Sequence, residues 1–264
     1  MTTFALPTEP QTIADSRPDP LAARLYVGGP PKTGKTTLAS QWSPATTLFL
    51  DLQHGTDLLP GTHYVAHVDD WQQFDQATTQ IAAGWKAGTL KLGDEPVRTV
   101  VIDTIDLAYK YADAYAGARF GQIAAGLVEY GKGAAEAEGV FRMALSRLLS
   151  CRGLGIWFLG HSETVDEPTG TGRDTVRKLV PKLDKRVREY VIGEVEHQLI
   201  AERVGKRTIL HTQASQRFEA GSRLPLPEPL DMSAHALYRA MQAGIAQLSG
   251  VNGATHIEPT KDEA

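Results

Sequence analysis

Cysteine is almost absent from this chain of 264 residues, because Cys151 is the only one. An internal disulfide is therefore excluded, which suits a reducing compartment such as the cytoplasm. No apolar run approaches the roughly 18 residues of a membrane-spanning helix. The opening "MTTFALPTEP" also lacks the basic start and apolar core of a signal peptide. We expect a cytoplasmic protein with no membrane partner.

An excess of positive charge is also lacking, since the net charge is −4. Attraction of the whole chain to nucleic acid is therefore excluded, and any such binding must come from a local basic patch. Hydrophobic residues make up 42% of the chain and charged residues 22%, as in soluble globular domains.

The periodicity of apolar residues predicts an α/β fold. Stretches typical of buried parallel strands are followed by segments with helical spacing, and this alternation predicts a doubly wound, mostly parallel sheet. The predicted strands lie at 23–29, 45–51, 97–103 and 153–160, and the predicted helices at 35–42, 70–85, 106–119 and 134–150.

The C-terminal part of the chain has a different pattern. Residues 194–212 predict an antiparallel hairpin that turns at "VGKR", and a last helix is expected at about 233–248. We divide the chain into a proline-rich segment at 1–20 that is expected to be disordered, a core at 21–232, and a helix with a polar tail at 233–264.

The strongest motif is "GPPKTGKT", which matches the phosphate-loop pattern G-x-x-x-x-G-K-[ST]. It lies between a predicted strand and a predicted helix, so that backbone N–H groups can surround a phosphate. Lys35 is expected to reach the β- and γ-phosphates of ATP, and Thr36 to bind Mg²⁺. The predicted nucleotide-binding residues are Gly29, Pro30, Pro31, Lys32, Thr33, Gly34, Lys35, Thr36 and Thr37.

A carboxylate that helps to hold the magnesium ion is expected at the end of another buried strand. "TVVIDT" supplies Asp103 at such an end, where it would hold Mg²⁺ through water. The alternative role for Asp103 is to cap the helix that follows, and one carboxylate can do both.

Three segments resemble parts of RecA, in the same order along the chain. "FLDLQHGTD" (49–57) resembles the strand end that carries the glutamate by which RecA activates water, and "TVVIDTID" resembles its metal-binding strand. "IWFLGHSE" (156–163) resembles the strand whose last polar residue senses the γ-phosphate.

A narrower resemblance is carried by "KTTLASQW", "EYGKG", "VPKLDKRVRE" and "FEAGSRLPLPE". Together they resemble the bacteriophage core-only RecA-like proteins over roughly residues 23–230. The resemblance implies a RecA-like core that binds ATP and Mg²⁺, assembles as a homo-oligomer (ring or filament) and acts on single-stranded DNA in recombination or strand annealing. It also implies help from a single-strand-binding protein, in the host cytoplasm.

Gln53 occupies the position at which the resembling proteins carry the catalytic glutamate. An amide can orient a water molecule but cannot accept its proton, and a general base typically contributes about 10²–10⁴-fold. We therefore expect slow hydrolysis with nucleotide binding retained. Asp51 precedes Gln53 by two residues, so strand alternation predicts the same face and makes Asp51 a candidate substitute base. A purely structural Gln53 is the alternative.

Two further residues are assigned by the resemblance. His161 follows the fourth strand, where it would couple contact with the γ-phosphate to the loop that binds DNA. Arg223, in "EAGSR", would reach the γ-phosphate bound by a neighbouring subunit. The alternative for His161 is a polar residue that is hydrogen-bonded at a strand end without a further role. The alternative for Arg223 is an ordinary surface arginine.

The predicted DNA-binding region follows His161. A Gly/Thr-rich loop leads into a basic run at 173–188, and such a run can follow a phosphate backbone without reading bases. The alternative is a solvated helix face. The predicted DNA-binding residues are Arg173, Arg177, Lys178, Lys182, Lys185 and Arg186.

Two functions are compatible with these motifs. The first is an ATP-dependent recombination or annealing protein, and the second is an ATP-bound switch or loader that binds a replication partner such as a helicase. A phosphate-loop kinase is disfavoured, because only the run at 173–188 offers arginines for a lid.

Overall fold

A computed structural model describes residues 18–168 and 175–251 of the chain. Nearly all of the segment that is predicted to be disordered, and the polar tail after residue 251, lie outside the described residues. Pro20–Ala22 form a short 3-10 helix that Asp19 caps by accepting a hydrogen bond from the Leu21 N–H group.

The strands are, in chain order, β1 (Arg24–Gly28), β2 (Thr47–Asp51), β3 (Tyr64–His67), β4 (Lys91–Leu92), β5 (Glu95–Pro96), β6 (Thr99–Asp103), β7 (Gly155–Leu159), β8 (Ser162–Pro168), β9 (Thr175–Pro181), β10 (His197–Val204), β11 (Arg207–His211), β12 (Gly221–Ser222) and β13 (Leu230–Asp231). The helices are α1 (Lys35–Ser40), α2 (Trp71–Ala87), α3 (Ile105–Arg119), α4 (Lys132–Leu149), α5 (Lys185–Gly193) and α6 (Ala234–Val251).

The main sheet has the order β3-β2-β6-β7-β1-β10-β11-β13, and β12 pairs with β10. The strands from β3 to β10 pair in parallel, whereas β10 and β11 pair antiparallel. The predicted α/β fold is therefore confirmed as a doubly wound, mostly parallel sheet with a C-terminal antiparallel hairpin. Strand β7 separates β1 from β6, so the phosphate loop and Asp103 follow strands that are not neighbours.

Each face of the sheet is covered by helices. All five residues of β6 and of β7 are buried, as expected for central parallel strands with helices on both faces. Alternate side chains enter two separate cores. One contains residues of α2, α3, α4 and α5, and the other contains residues of α1 and α6.

The hairpin formed by β8 and β9 was not predicted from the sequence. These strands pair antiparallel as a separate two-stranded sheet, in which Asp166 lies opposite Arg177. Their alternating charged residues do not mark a buried strand, which is why the sequence predicts a Gly/Thr-rich loop leading into a basic run instead. Strand β3 and the short β4–β5 pair were also missed.

Cys151 is buried, its thiol contacts the Arg147 carbonyl oxygen, and burial raises its pKa. These features are those of a structural thiol. None of the described helices is long and apolar enough to cross a bilayer.

Two glycines of α4 provide a matched test of the packing. A Cβ atom at Gly133 would lie 2.2 Å from the Ala125 carbonyl oxygen, whereas one at Gly139 would meet nothing within 4 Å. Gly139→Ala should therefore raise the free energy of unfolding by about 0.5–1 kcal/mol through helix propensity. Gly133→Ala should lower it by about 1–3 kcal/mol through overpacking. Denaturant unfolding measures both changes, and equal changes would contradict the packing of Ala125–Leu127 against α4.

Candidate nucleotide-binding site

The phosphate loop connects the end of β1 to the start of α1. Gly29 has φ +148 and Gly34 has φ +91, values that L side chains rarely adopt. A Cβ atom at Gly29 would also lie 2.6 Å from the Ala201 carbonyl oxygen of β10. Both glycines of the sequence motif are therefore required by the backbone of the loop.

Lys35 bends back over this loop. Its Nζ donates hydrogen bonds to the carbonyl oxygens of Gly29 (3.1 Å) and Pro30 (3.0 Å), and the side chain is buried. Burial lowers its pKa, and the opposing charges of Asp103 and Asp106 limit the shift. The amine is held where an anion bound in the loop would replace the carbonyl oxygens as its partner.

Thr36 and Asp103 join α1 to the end of β6. The Thr36 hydroxyl donates a 2.7 Å hydrogen bond to Asp103 Oδ2, and Asp103 is only 3% exposed. Burial raises the pKa of Asp103 to about 6, with a further increase from Asp51, although the Thr36 hydrogen bond and Lys35 oppose the shift. A half-buried hydroxyl and a buried carboxylate in contact are oxygen ligands that fit Mg²⁺. These two residues would hold the ion, which supplies charge neutralisation for the phosphates when it is bound.

A cavity of about 410 Å³ lies between the phosphate loop and the ends of β2, β6 and β7. It brings together residues that are far apart in the sequence, since Lys35, Thr36, Gln53, Asp103 and His161 all line it. Several predicted site residues, from the loop and from three strand ends, therefore share one cavity.

Gln53 lines this cavity from the turn that follows β2. Its side-chain amide donates a 3.2 Å hydrogen bond to the Thr104 hydroxyl, and its backbone N–H bonds Asp51 Oδ1 at 3.0 Å. Thr104 directly follows Asp103 in the chain, so this bond holds the amide close to Asp103. This position suits contact with a water molecule near the γ-phosphate.

Asp51 does not have the geometry of a substitute base, so that expectation requires correction. The side chain is fully buried and accepts hydrogen bonds from the backbone N–H groups of Gln53, Gly55 and Thr56 and from the Thr56 hydroxyl. Burial alone would raise its pKa, but these bonds lower it below the usual value. Strand β2 ends at Asp51, so alternation does not extend to Gln53, and Asp51 shapes the turn instead.

His161 connects the cavity to the β8–β9 hairpin. Its Nδ1 lies 2.9 Å from Asp106 Oδ2, and its backbone N–H donates to Asp106 Oδ1 at 3.0 Å. Its carbonyl oxygen accepts hydrogen bonds from the Tyr26 hydroxyl (3.2 Å) and from the Lys182 N–H group (2.8 Å). Burial acts to raise the pKa of Asp106, but the two bonds from His161 and one from Thr104 lower it.

Asp106 and Thr104 were missed by the sequence analysis. The segment "TVVIDTID" contains a second acid three residues after Asp103, and this was the available signal for Asp106. Nothing in the local sequence indicates a role for Thr104. Its role depends on the hydrogen bond from Gln53, which follows a different strand.

Arg223 lies away from this cavity. Its backbone N–H bonds the Glu196 carbonyl oxygen, and the Glu196 N–H bonds the Arg24 carbonyl oxygen at the start of β1. The phosphate loop follows the opposite end of β1, so Arg223 does not reach the nucleotide site of its own chain. Its predicted action on a neighbouring subunit stays a prediction.

The predicted DNA-binding residues fall into two groups, and Arg173 lies outside the described residues. On β9, Arg177 lies 3.6 Å from Asp166 and Lys178 lies 3.4 Å from Glu219, so both face acids. Three further cations around the start of α5 are exposed to solvent, as Arg177 is, and Lys185 reaches Glu189 at 4.0 Å. These exposed residues are Lys182, Lys185 and Arg186.

Comparison with known proteins gives the family. Residues 21–224 match a family model described as "AAA domain". The chain belongs to this AAA domain family. It is also similar to a solved structure titled "Crystal structure of the RadB recombinase", with 14% sequence identity, a TM-score of 0.45, and coverage of 81% of this chain and 89% of that chain. No curated protein sequence matches it significantly.

The matched range extends from just before β1 to just after β12, so it contains the whole cavity. Membership of the AAA domain family and the phosphate-loop geometry identify a nucleotide-binding protein with a P-loop NTPase core.

Proposed function

We propose that this AAA domain protein binds Mg²⁺-ATP, hydrolyses it slowly, and acts on single-stranded DNA in phage-type recombination or strand annealing. The observation that carries the proposal is the position of His161. Its side chain lines the nucleotide cavity, and its carbonyl oxygen holds the Lys182 N–H group between β9 and α5. His161 and Lys182 would therefore connect the position of the γ-phosphate to the exposed cations.

Slow hydrolysis is supported by the environment of Gln53. Asp103 and Asp51 both lie near it, but Asp103 bonds Thr36 and Asp51 bonds the turn. Neither carboxylate is free to take a proton from water at the position of the γ-phosphate. The amide of Gln53 would orient the water, and the rate increase of a general base would be missing.

Assembly as a homo-oligomer, as a ring or a filament, is part of the proposal. Arg223 is exposed at the end of β1 opposite the nucleotide cavity. An arginine in that position is available to the cavity of a neighbouring copy, where it would stabilise charge on the transferred phosphoryl group. Annealing with help from a single-strand-binding protein is also part of the proposal.

A second candidate function is an ATP-bound switch or loader that binds a replication partner such as a helicase. Four large apolar residues lie exposed between α3 and α4, and exposed apolar patches typically mark protein contacts. Their exposures are 44% for Phe120, 87% for Ile123, 56% for Leu127 and 91% for Tyr130.

Gln53→Glu should increase ATP turnover by one or more orders of magnitude, because it introduces a carboxylate base at the position of the amide. Steady-state phosphate release measures the change, and calorimetry should show that ATP affinity changes little.

Two controls make this test specific. Gln53→Ala should not raise turnover, and Lys35→Ala should abolish both ATP binding and turnover without unfolding the chain. Rapid hydrolysis by the unsubstituted protein that is indifferent to position 53 would contradict the role assigned to Gln53.

Single-stranded DNA binding should depend on the exposed cations around the start of α5. Replacing Lys182, Lys185 and Arg186 by glutamine should weaken binding to unrelated sequences alike, because only phosphate contacts are lost. The slope of log affinity against log salt should decrease by about 0.7 for each phosphate contact removed. Fluorescence anisotropy with labelled oligonucleotides, with and without Mg²⁺-ATP, measures both effects.

The matched control replaces Lys86, Lys91 and Arg152, three exposed cations distant from the hairpin, and should leave DNA binding unchanged. Equal losses in both triple variants would indicate non-specific attraction. Absence of DNA binding by the unsubstituted protein with Mg²⁺-ATP would favour the switch or loader.

A further inference from the structure

Two histidines and two aspartates lie close together beside the nucleotide cavity, outside the residues assigned to nucleotide or DNA. His54 and Asp57 lie in the turn after β2, His67 ends β3, and Asp69 follows it. One ligand atom from each of His54, Asp57 and His67 lies within 4.8 Å of the others. These three residues are called the His/Asp cluster below.

The geometry of the His/Asp cluster is compact. The imidazole rings of His54 and His67 are stacked, with centroids 4.7 Å apart and an interplanar angle of 18°. His67 Nε2 lies 3.9 Å from Asp57 Oδ1. His54 Nε2 lies 3.2 Å from Asp69 Oδ1. A carboxylate on one ring nitrogen is the usual way of orienting a histidine that ligates a metal through its other nitrogen.

The backbone holds His54 in an uncommon conformation. Its φ is +55, in the left-handed region, which is sparsely populated by residues other than glycine. Asp51 fixes the turn on either side of this residue, through the N–H groups of Gln53 and Gly55. The turn thereby presents the His54 ring to His67 on the neighbouring strand.

We propose that the His/Asp cluster is a binding site for a divalent transition metal ion, with Zn²⁺ as the representative ion. Two imidazoles and one carboxylate are borderline-soft ligands that suit Zn²⁺, whereas Mg²⁺ prefers oxygen ligands alone. Three protein ligands leave one position of a tetrahedral ion for water. Contraction of the ligand atoms around the ion requires only side-chain movement, because all three side chains are exposed.

The ion would connect the turn that carries Gln53 to the end of β3. His54 directly follows Gln53, and Gly55, Leu58 and Leu59 of the same segment line the nucleotide cavity. Without the ion, the polar contacts of the cluster join exposed groups, and such contacts contribute little to stability. Occupancy of the site would restrict the movement of one wall of the cavity, and so regulate access to the γ-phosphate position.

The test uses the full chain without a polyhistidine tag and without nucleotide. Isothermal titration with Zn²⁺ should show one site. His67→Ala should weaken Zn²⁺ binding by at least about a hundredfold, because it removes a direct ligand, whereas Asp69→Asn should weaken it by about 10–100-fold by releasing His54. His54→Asn is the second ligand variant, since asparagine tolerates the left-handed backbone at this position.

Two controls locate the site. His235→Ala removes an exposed histidine from α6 and should leave Zn²⁺ affinity unchanged. Asp103→Asn alters the carboxylate that we assign to Mg²⁺, and it should also leave Zn²⁺ affinity unchanged. The thermal midpoint of the unsubstituted protein should rise with Zn²⁺ concentration, and this rise should be lost in His67→Ala.

Three results would overturn the proposal: no saturable Zn²⁺ binding, binding that His67→Ala and His54→Asn leave intact, or binding that Asp103→Asn removes. The last result would place the ion at the nucleotide site. Because every measurement is made without nucleotide, failure here leaves the proposed ATP and DNA functions untouched.

Discussion

The contact between His161 and the buried Asp106 is the interaction on which the arrangement of the site depends. The Asp106 side chain is 7% exposed and that of His161 is 19% exposed, so neither group is well solvated. A buried carboxylate is costly unless it is paired and hydrogen-bonded, and His161 supplies two of its bonds. The pair fixes the start of α3 to the end of β7, and through the His161 carbonyl oxygen it also fixes the connection that follows β9.

A second buried carboxylate, that of Asp51, organises the turn that follows β2. Asp51 is fully buried and uses its oxygens to shape the turn after β2. That turn directs Gln53 towards Thr104 and His54 towards β3. Asp51, the candidate substitute base, therefore positions two other side chains. Gln53 faces the nucleotide cavity and His54 faces the proposed metal site.

Much of the fold was predictable from the sequence, because continuous apolar strands and helical spacing reflect burial directly. The phosphate loop, Asp103 and the β10–β11 hairpin follow local rules of this kind. The β8–β9 hairpin was not predictable, since it alternates charges at a solvated position. The roles of Asp51 and Thr104 were not predictable either, because they come from hydrogen bonds between segments that only the folded chain brings together. Asp69 acquires its contact with His54 in the same way.

The most direct test of the account is hydrogen–deuterium exchange at the amides of β8 and β9, with Mg²⁺ and either ADP or a non-hydrolysable ATP analogue. If His161 transmits contact with the γ-phosphate, exchange in the hairpin should be slower with the analogue than with ADP. In His161→Ala this difference should disappear while affinity for the analogue is retained. Identical exchange in the two nucleotide states, or a difference that survives His161→Ala, would contradict the coupling of the nucleotide cavity to the hairpin.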